Sequence, residues 1–253
     1  MSKSPLSLRP AARVIHYNTV SSTSDEARRL AREGAPEGTT VCALEQTAGR
    51  GRHGRFWVSP PGNLYASLIV RPDCPAGKAA QLGFLAALAI GDALRAKLPA
   101  TVRLSYKWPN DVLLRGRKLA GILLESETTA GPDAAFVIVG IGVNLVSSPR
   151  KIEFPATSVA EEGLDPPSPS ALLEEITKHF QGWLRHWRMA GFAPVRTAWQ
   201  AQAAFVGDLI RVRLQAATLH GRFLDIDDEG ALLVETAAEC RRISAGEILS
   251  ANP

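Results

Sequence analysis

Residues 45–61 read Glu45-Gln46-Thr47-Ala48-Gly49-Arg50-Gly51-Arg52-His53-Gly54-Arg55-Phe56-Trp57-Val58-Ser59-Pro60-Pro61. Gly49, Gly51 and Gly54 fit the G-x-G-x-x-G spacing that follows the first strand of a dinucleotide-binding unit. Such a unit needs a helix opening at the third glycine, with the ligand's pyrophosphate at its N-terminus. Here Pro60 and Pro61 follow so soon that no helix of useful length can form. The stretch therefore argues against a doubly wound parallel sheet entered at this loop. What remains is a loop in which Gly49, Gly51 and Gly54 alternate with Arg50, Arg52 and Arg55. Backbone amides and guanidinium groups in such a loop can wrap around phosphate or carboxylate oxygens. A solvated basic turn is the plainer reading of the loop taken alone.

Upstream, residues 13–17 read as a short strand. Ser22, Thr23 or Ser24 can cap a helix over 25–32, which carries Asp25 and Glu26 in its first turn and ends at Gly34. Residues 39–45 alternate as a strand. A second strand over 64–70, entered through Pro60, Pro61, Gly62 and Asn63, is expected to pair with it. Downstream, 78–98 is rich in Ala and Leu at helical spacing and predicts a helix packed on a sheet. Strands follow over 102–107, 111–114, 120–128 and 134–143, with turns at Pro109-Asn110, Gly116-Arg117 and Gly131-Pro132. A Pro/Ser linker over 166–169 leads to helices over 170–189 and 194–205. From Gly207 the pattern changes to short alternating strands over 209–214, 219–226, 232–235 and 247–249, which predicts a small barrel docked on the larger unit.

The chain has 253 residues, 45% hydrophobic and 21% charged, enough to bury about three quarters of the surface that the unfolded form exposes. Its start has no apolar run of signal or anchor length, and the apolar-rich stretch 82–94 is too short to cross a bilayer, so a cytoplasmic protein with no membrane partner is expected. Cys42, Cys74 and Cys240 lack metal-ligand spacing and read as reduced structural thiols. The net charge of +4 suits nucleic acid or an anionic small substrate. The basic residues cluster at 50–55 and 103–118, interleaved with Gly, Trp, Pro and Asn, which favours a local anion site. Gly77-Lys78-Ala79 lacks the upstream glycine and the hydroxyl of a P-loop, so any nucleotide must be held another way.

Two further segments carry chemistry. Lys107-Trp108-Pro109-Asn110-Asp111 places a cation, an amide and a carboxylate around a proline-set turn, and Arg117-Lys118-Leu119-Ala120-Gly121-Ile122-Leu123 puts a lysine just before a strand of small residues. Taken singly, Lys107 with Asp111 reads equally as a surface ion pair, and Lys118 as a solvated strand end. Taken with the glycine loop, in this order and at these separations, they resemble the biotin protein ligase family, whose hallmarks are a GRGRxGR loop, a KWPND turn and a KLAGIL strand. The resemblance runs from about Val14 to Val146, including Ser21-Ser22-Thr23-Ser24 and Gly140-Ile141-Gly142-Val143-Asn144. The small C-terminal barrel extends it.

The resemblance implies an α+β fold: a mixed sheet flanked by helices, a class II synthetase-like catalytic domain, followed by a small SH3-like β-barrel. It implies a flexible arm over 1–13, a biotin- and ATP-binding catalytic domain over 14–205 and the barrel over 206–253. The implied reaction joins biotin to ATP as biotinyl-5′-AMP and transfers it to a lysine of a biotin carboxyl carrier protein, as in acetyl-CoA carboxylase. The implied biotin residues are Ser22, Thr23, Ser24, Gln46, Gly49, Arg50, Gly51, Arg52, Lys118 and Gly121, with Arg52 and Lys118 catalytic. Biotin's ureido ring needs hydroxyl and amide partners. Where the family's first motif usually ends in Asn, this chain has Ser24, and helix capping is a compatible role for Ser22 and Thr23. Arg55, Trp57, Lys107, Asn110, Asp111 and Asn144 are implied for ATP, with Asp111 also a candidate ligand for Mg2+; core packing is the plainer role for Trp57.

The nearest rival is a lipoate or octanoate ligase or transferase of the same fold, which the GRGRHGR loop and KWPND turn together disfavour. Only about 13 residues precede the first strand, too few for a helix-turn-helix, so no DNA partner is expected. Association as a homodimer stays open.

Overall fold

The computed structural model describes residues 13–128, 133–150 and 153–251. The expected arm, but for Arg13, and the turn at Gly131-Pro132 lie outside these residues. The first strand, β1 (Val14–Val20), leads into α1 (Thr23–Arg32), whose N-cap is Ser22, its hydroxyl accepting from the Ser24 amide. Two strands follow, β2 (Thr40–Gln46) and β3 (Leu64–Val70). A single turn α2 (Ala76–Ala79) precedes α3 (Leu82–Arg95). The remaining strands of the first sheet are β4 (Leu104–Lys107), β5 (Asp111–Leu114), β6 (Arg117–Thr128) and β7 (Ala134–Val143). They form a seven-stranded sheet in the order β1-β2-β3-β7-β6-β5-β4, in which β1 and β2 run parallel and all other neighbours antiparallel.

The expected pairing of residues 39–45 with 64–70 is present, with Thr40 opposite Leu68 and Ala43 opposite Tyr65. Every residue of β3 is buried, because α1 covers one face while α3 and α4 (Pro169–Ala190) cover the other. The predicted helix over 78–98 is broken at Ala80 and Gln81. There the backbone bonds tighten to three-residue steps, Gly83 N to Ala80 O and Phe84 N to Gln81 O. The Gln81 side chain is tied down as well, accepting from Trp187 Nε1 at 2.7 Å and donating to Asp228 O at 3.3 Å. Strand β6 begins at Arg117 rather than Ala120, so Lys118 lies inside a strand and not before it. The last helix of this unit, α5 (Ala193–Gln200), ends earlier than expected.

The C-terminal unit is a five-stranded antiparallel sheet of SH3-like type. Its strands are β8 (Leu209–Arg213), β9 (Thr218–Ile226), β10 (Leu232–Glu235), β11 (Cys240–Ile243) and β12 (Glu247–Ala251), in the order β11-β10-β9-β8-β12. Strand β11 escapes sequence reading because Cys240, Arg241 and Arg242 are all exposed and show no alternation. The unit docks firmly. Ile210, Val212, Phe223 and Ile248 belong to the same buried apolar cluster as α3 and Trp108. Trp108 Nε1 donates to Gly230 O at 3.0 Å. Gly230, at φ +87, lies so close to Phe84 that a Cβ there would sit 2.7 Å from the ring. Among the described residues no helix is long and apolar enough to cross a membrane.

Candidate functional site

A cavity of about 320 Å3 opens on one face of the central sheet, roofed by the glycine loop and bounded by β12 and by Pro149, Glu153, Phe154 and Ala156. Its two ends differ chemically because different strands build them. At the α1, β2 and β3 end, Thr23 donates its backbone N–H to Gln46 Oε1 at 2.9 Å, and its hydroxyl lies 3.1 Å from the same oxygen. Ser67 Oγ stands 2.8 Å from Thr23 Oγ1 and 3.1 Å from Ser24 Oγ. Gln46 Nε2 in turn donates to Ser59 Oγ. These polar groups hold one another in fixed rotamers; Thr23, Ser24 and Gln46 line the cavity, with Ser67 and Ser59 behind them.

The β5 and β6 end is cationic. Lys118 Nζ lies 2.6 Å from Asp111 Oδ1, and Lys107 Nζ lies 2.8 Å from Asp111 Oδ2. Asp111 is 3% exposed. Burial opposes its ionisation, but the two ammonium groups overcome that and hold the carboxyl down at about pH 2. The expected surface ion pair of Lys107 and Asp111 is thus a buried triad. Lys107 also donates to Ile248 O at 3.0 Å and sits over the Phe154 ring. It supports the cavity from behind rather than lining it. Asn110 donates through Nδ2 to Ile122 O at 2.7 Å, which fixes its amide so that Oδ1 faces Arg52 Nη1 at 3.4 Å.

The loop itself is ordered by its own backbone: Trp57 N donates to Gly49 O, and Gly51 N to Arg55 O. A Cβ on Gly49 would fall 2.5 Å from Trp57 O, so glycine is obligatory there. Arg50 makes a two-pronged pair with Asp25 and reaches Glu125 at 3.5 Å. Arg52 donates to Gly246 O at 3.1 Å, and burial makes its charge harder to keep. Arg55 is paired with Glu247. Between the two ends, the Trp57 indole lies on the glycine floor of β6 and β7. A Cβ at Gly121 or Gly142 would come within 2.7 and 2.5 Å of it. Lys118 Nζ sits 5.4 Å from the Trp57 ring centre, and the indole N–H is buried with no acceptor among the described residues.

Of the residues expected from sequence, Ser22, Thr23, Ser24, Gln46, Arg50, Gly51, Arg52, Arg55, Trp57, Asn110, Asp111, Lys118, Gly121 and Asn144 all line this one cavity, whereas Gly49 and Lys107 stand behind it. Asn144 is 2% exposed and donates to Thr157 O. Sequence reading missed Ser67, Asp25 and Glu125, and the C-terminal contributions of Arg213, Gly246 and Glu247. Only Ser67 left a local signal, a serine inside an apolar strand buried on both faces. Among the described residues no cluster of three or more His, Cys, Asp or Glu could hold a metal.

The biotin/lipoate A/B protein ligase family model matches residues 17–144, and the biotin protein ligase C terminal domain matches residues 207–249. A biotin--[acetyl-CoA-carboxylase] ligase of Paracoccus denitrificans is 45% identical over 238 residues, covering 90% of this chain and 96% of the relative. The ligase of the same name from Mycobacterium tuberculosis is 34% identical, covering 91% and 86%. Among solved structures, the biotin protein ligase from Aquifex aeolicus in complex with biotin and ATP superposes with a TM-score of 0.80 at 27% identity, covering 93% of this chain and 97% of that one. With both of its units matched in order, the chain belongs to the biotin/lipoate A/B protein ligase family, among the members that carry the biotin protein ligase C-terminal domain.

Proposed function

We infer that the protein activates biotin with ATP and transfers it to a lysine of a biotin carboxyl carrier protein. The observation that carries this reading is the two-ended cavity: hydroxyl and amide groups at the β2 and β3 end, Lys118 and Arg52 at the other, and an indole over glycines between them. A ligand with a neutral polar ring, an apolar middle and a carboxylate matches that order. Biotin has that form, and octanoate has no polar ring for Thr23, Ser24 and Gln46 to recognise. The Aquifex aeolicus ligase complexed with biotin and ATP supports the same choice, and the Paracoccus denitrificans relative's name supports a carboxylase carrier.

In the first step the biotin carboxylate attacks the α-phosphate of ATP, giving the mixed anhydride and pyrophosphate. We assign Lys118 to the oxygens on which charge develops, aimed from a rigid strand and from an Asp111 that stays ionised at any working pH. Arg52 bridges carboxylate and phosphate from the loop, and Arg50 and Arg55 hold the loop in place through Asp25 and Glu247. Asn144 is assigned to the adenine, and Trp57, at the middle of the cavity, offers the nucleotide the same apolar wall that it gives biotin's chain. Both Asp111 oxygens already face ammonium groups, so the residues as placed do not fit Asp111 as a direct Mg2+ ligand. Magnesium is expected to enter on the nucleotide's phosphates, which offer the hard oxygen ligands it prefers.

Pyrophosphate–ATP exchange tests the reading. Exchange is expected with biotin and not with lipoate or octanoate; the reverse pattern would move the protein to the lipoate branch.

A further inference from the structure

A second groove, about 740 Å3, runs between the α2–α3 junction, the Trp108-Pro109-Asn110 turn and the C-terminal unit's Asp228–Gly230 turn. It meets the substrate cavity at Arg52, Asn110 and Ile122, which line both. We propose that this groove is the entry path for the carrier's lysine, its outer walls seating the turn that bears the lysine and Asn110 Oδ1 guiding the amine at the inner end.

The proposal rests on the ligase reading, and three features of the groove point to it. The first is access. The anhydride forms under the glycine loop at the cationic end of the cavity, so a lysine on another protein needs a way to that end that does not open the loop. The groove reaches it from the far side of Arg52.

The second feature is the inner end. An attacking amine must be neutral, and a fixed cation disfavours the ammonium form. Arg52 supplies that cation, while Asp111, the carboxylate that would stabilise an ammonium, is fully engaged by Lys107 and Lys118. Asn110 offers the incoming N–H a neutral acceptor whose direction is fixed by its own bond to Ile122 O. The third feature is the wall. Gly77, Ala80, Gly83 and Pro109 leave room for a backbone turn, and Phe84 and Leu124 give apolar surface for a lysine's methylene chain. In the transfer step the lysine nitrogen bonds to the biotin carbonyl carbon, the bond from that carbon to the phosphate oxygen breaks, AMP leaves with the electron pair, and one proton passes to solvent.

Ala80 and Ser244 are exposed residues on the groove and take no part in the substrate cavity. Ala80→Trp and Ser244→Trp should each plug the groove. Both are expected to keep biotin-dependent pyrophosphate exchange and hydroxylamine trapping of the adenylate within about twofold, while kcat/KM for a purified biotin carboxyl carrier domain falls by about tenfold or more. Unchanged carrier kinetics in both variants would overturn the proposal. So would loss of exchange in both, with unchanged thermal melting, since that outcome gives the groove to the nucleotide. A parent enzyme with no biotin-dependent exchange would overturn the ligase reading and this one together.

Discussion

Asp111 Oδ1 and Lys118 Nζ stand 2.6 Å apart across neighbouring strands, on the carboxylate whose other oxygen takes Lys107. The triad couples stability to chemistry. Asp111→Asn would leave a fully buried ammonium at Lys107 and a partly buried one at Lys118 without a counter-charge, which should cost about 3–5 kcal/mol. Urea unfolding measures this, and a loss below about 1 kcal/mol would mean that the two lysines find other partners. Because the folded carboxyl is held at about 2, the stability it contributes is complete above the unfolded carboxyl's pKa near 4 and disappears as pH falls toward 2. The parent and the Asn variant should therefore converge in stability at acid pH and differ by a constant amount between about pH 5 and pH 8.

The role proposed for Lys118 is in the transition state. Lys118→Ala should slow adenylate formation by about a hundredfold or more, with a much smaller change in biotin affinity. Rapid-quench measurement of adenylate, set beside biotin binding by calorimetry, separates the two. Parallel losses in both would make Lys118 a ground-state contact only.

Trp57 and Gly142 share one volume. Gly142→Ala puts a methyl 2.5 Å from the indole, and the displaced ring should cost about 1–3 kcal/mol of stability and weaken nucleotide binding. In a Trp57→Ala background the same change should be nearly free. A double-mutant cycle that came out additive would show that the glycine is needed for some other neighbour.

Much of this site was legible before the fold was known, because its polar ends are built from short contiguous segments. Gly49 to Arg55, Lys107 to Asp111 and Lys118 to Gly121 each carry their chemistry locally, and β5 and β6 are adjacent in sequence as well as in the sheet. Sequence reading puts Lys118 just before the strand, since β6 opens with Arg117 and Lys118, whose charges mask it. What escaped entirely joins positions far apart in sequence. Arg52 bonds Gly246 O, 194 residues away, and Arg55 pairs with Glu247 across 192. No local pattern announces such partners. The burial of the Lys107–Asp111 pair was equally invisible, because it depends on Phe154 and Ile248 closing over it.

The glycine loop should close further over substrate. His53 and Gly54 adopt positive φ, 56° and 71°, and Arg50, Arg52 and Arg55 are each tied to a partner outside the loop. Biotin plus ATP adds charge that those guanidinium groups can share, and the loop should tighten and exclude water. Trypsin cleavage after Arg50, Arg52 or Arg55, followed by mass spectrometry, is expected to slow severalfold with both ligands present. Equal rates with and without ligand would remove the lid from the mechanism.

The task proposed for Arg52 differs from that of Lys118, and their positions differ accordingly. Lys118 is fixed in a strand, whereas Arg52 rides between Gly51 and Gly54 and donates to Asn110 Oδ1 and Gly246 O. It is half-buried, so its interaction with an anion is only partly screened by water. Arg52→Gly removes the cation proposed to span carboxylate and phosphate and frees a loop already rich in glycine. Biotin should bind more weakly, and adenylate that does form should leave the cavity before a carrier arrives. Released anhydride acylates lysines without selection. Mass spectrometry of an added bystander protein should then show biotin on many of its lysines, at an adenylate output matched to the parent enzyme. Bystander labelling no greater than the parent's at that matched output would show that Arg52 does not retain the adenylate.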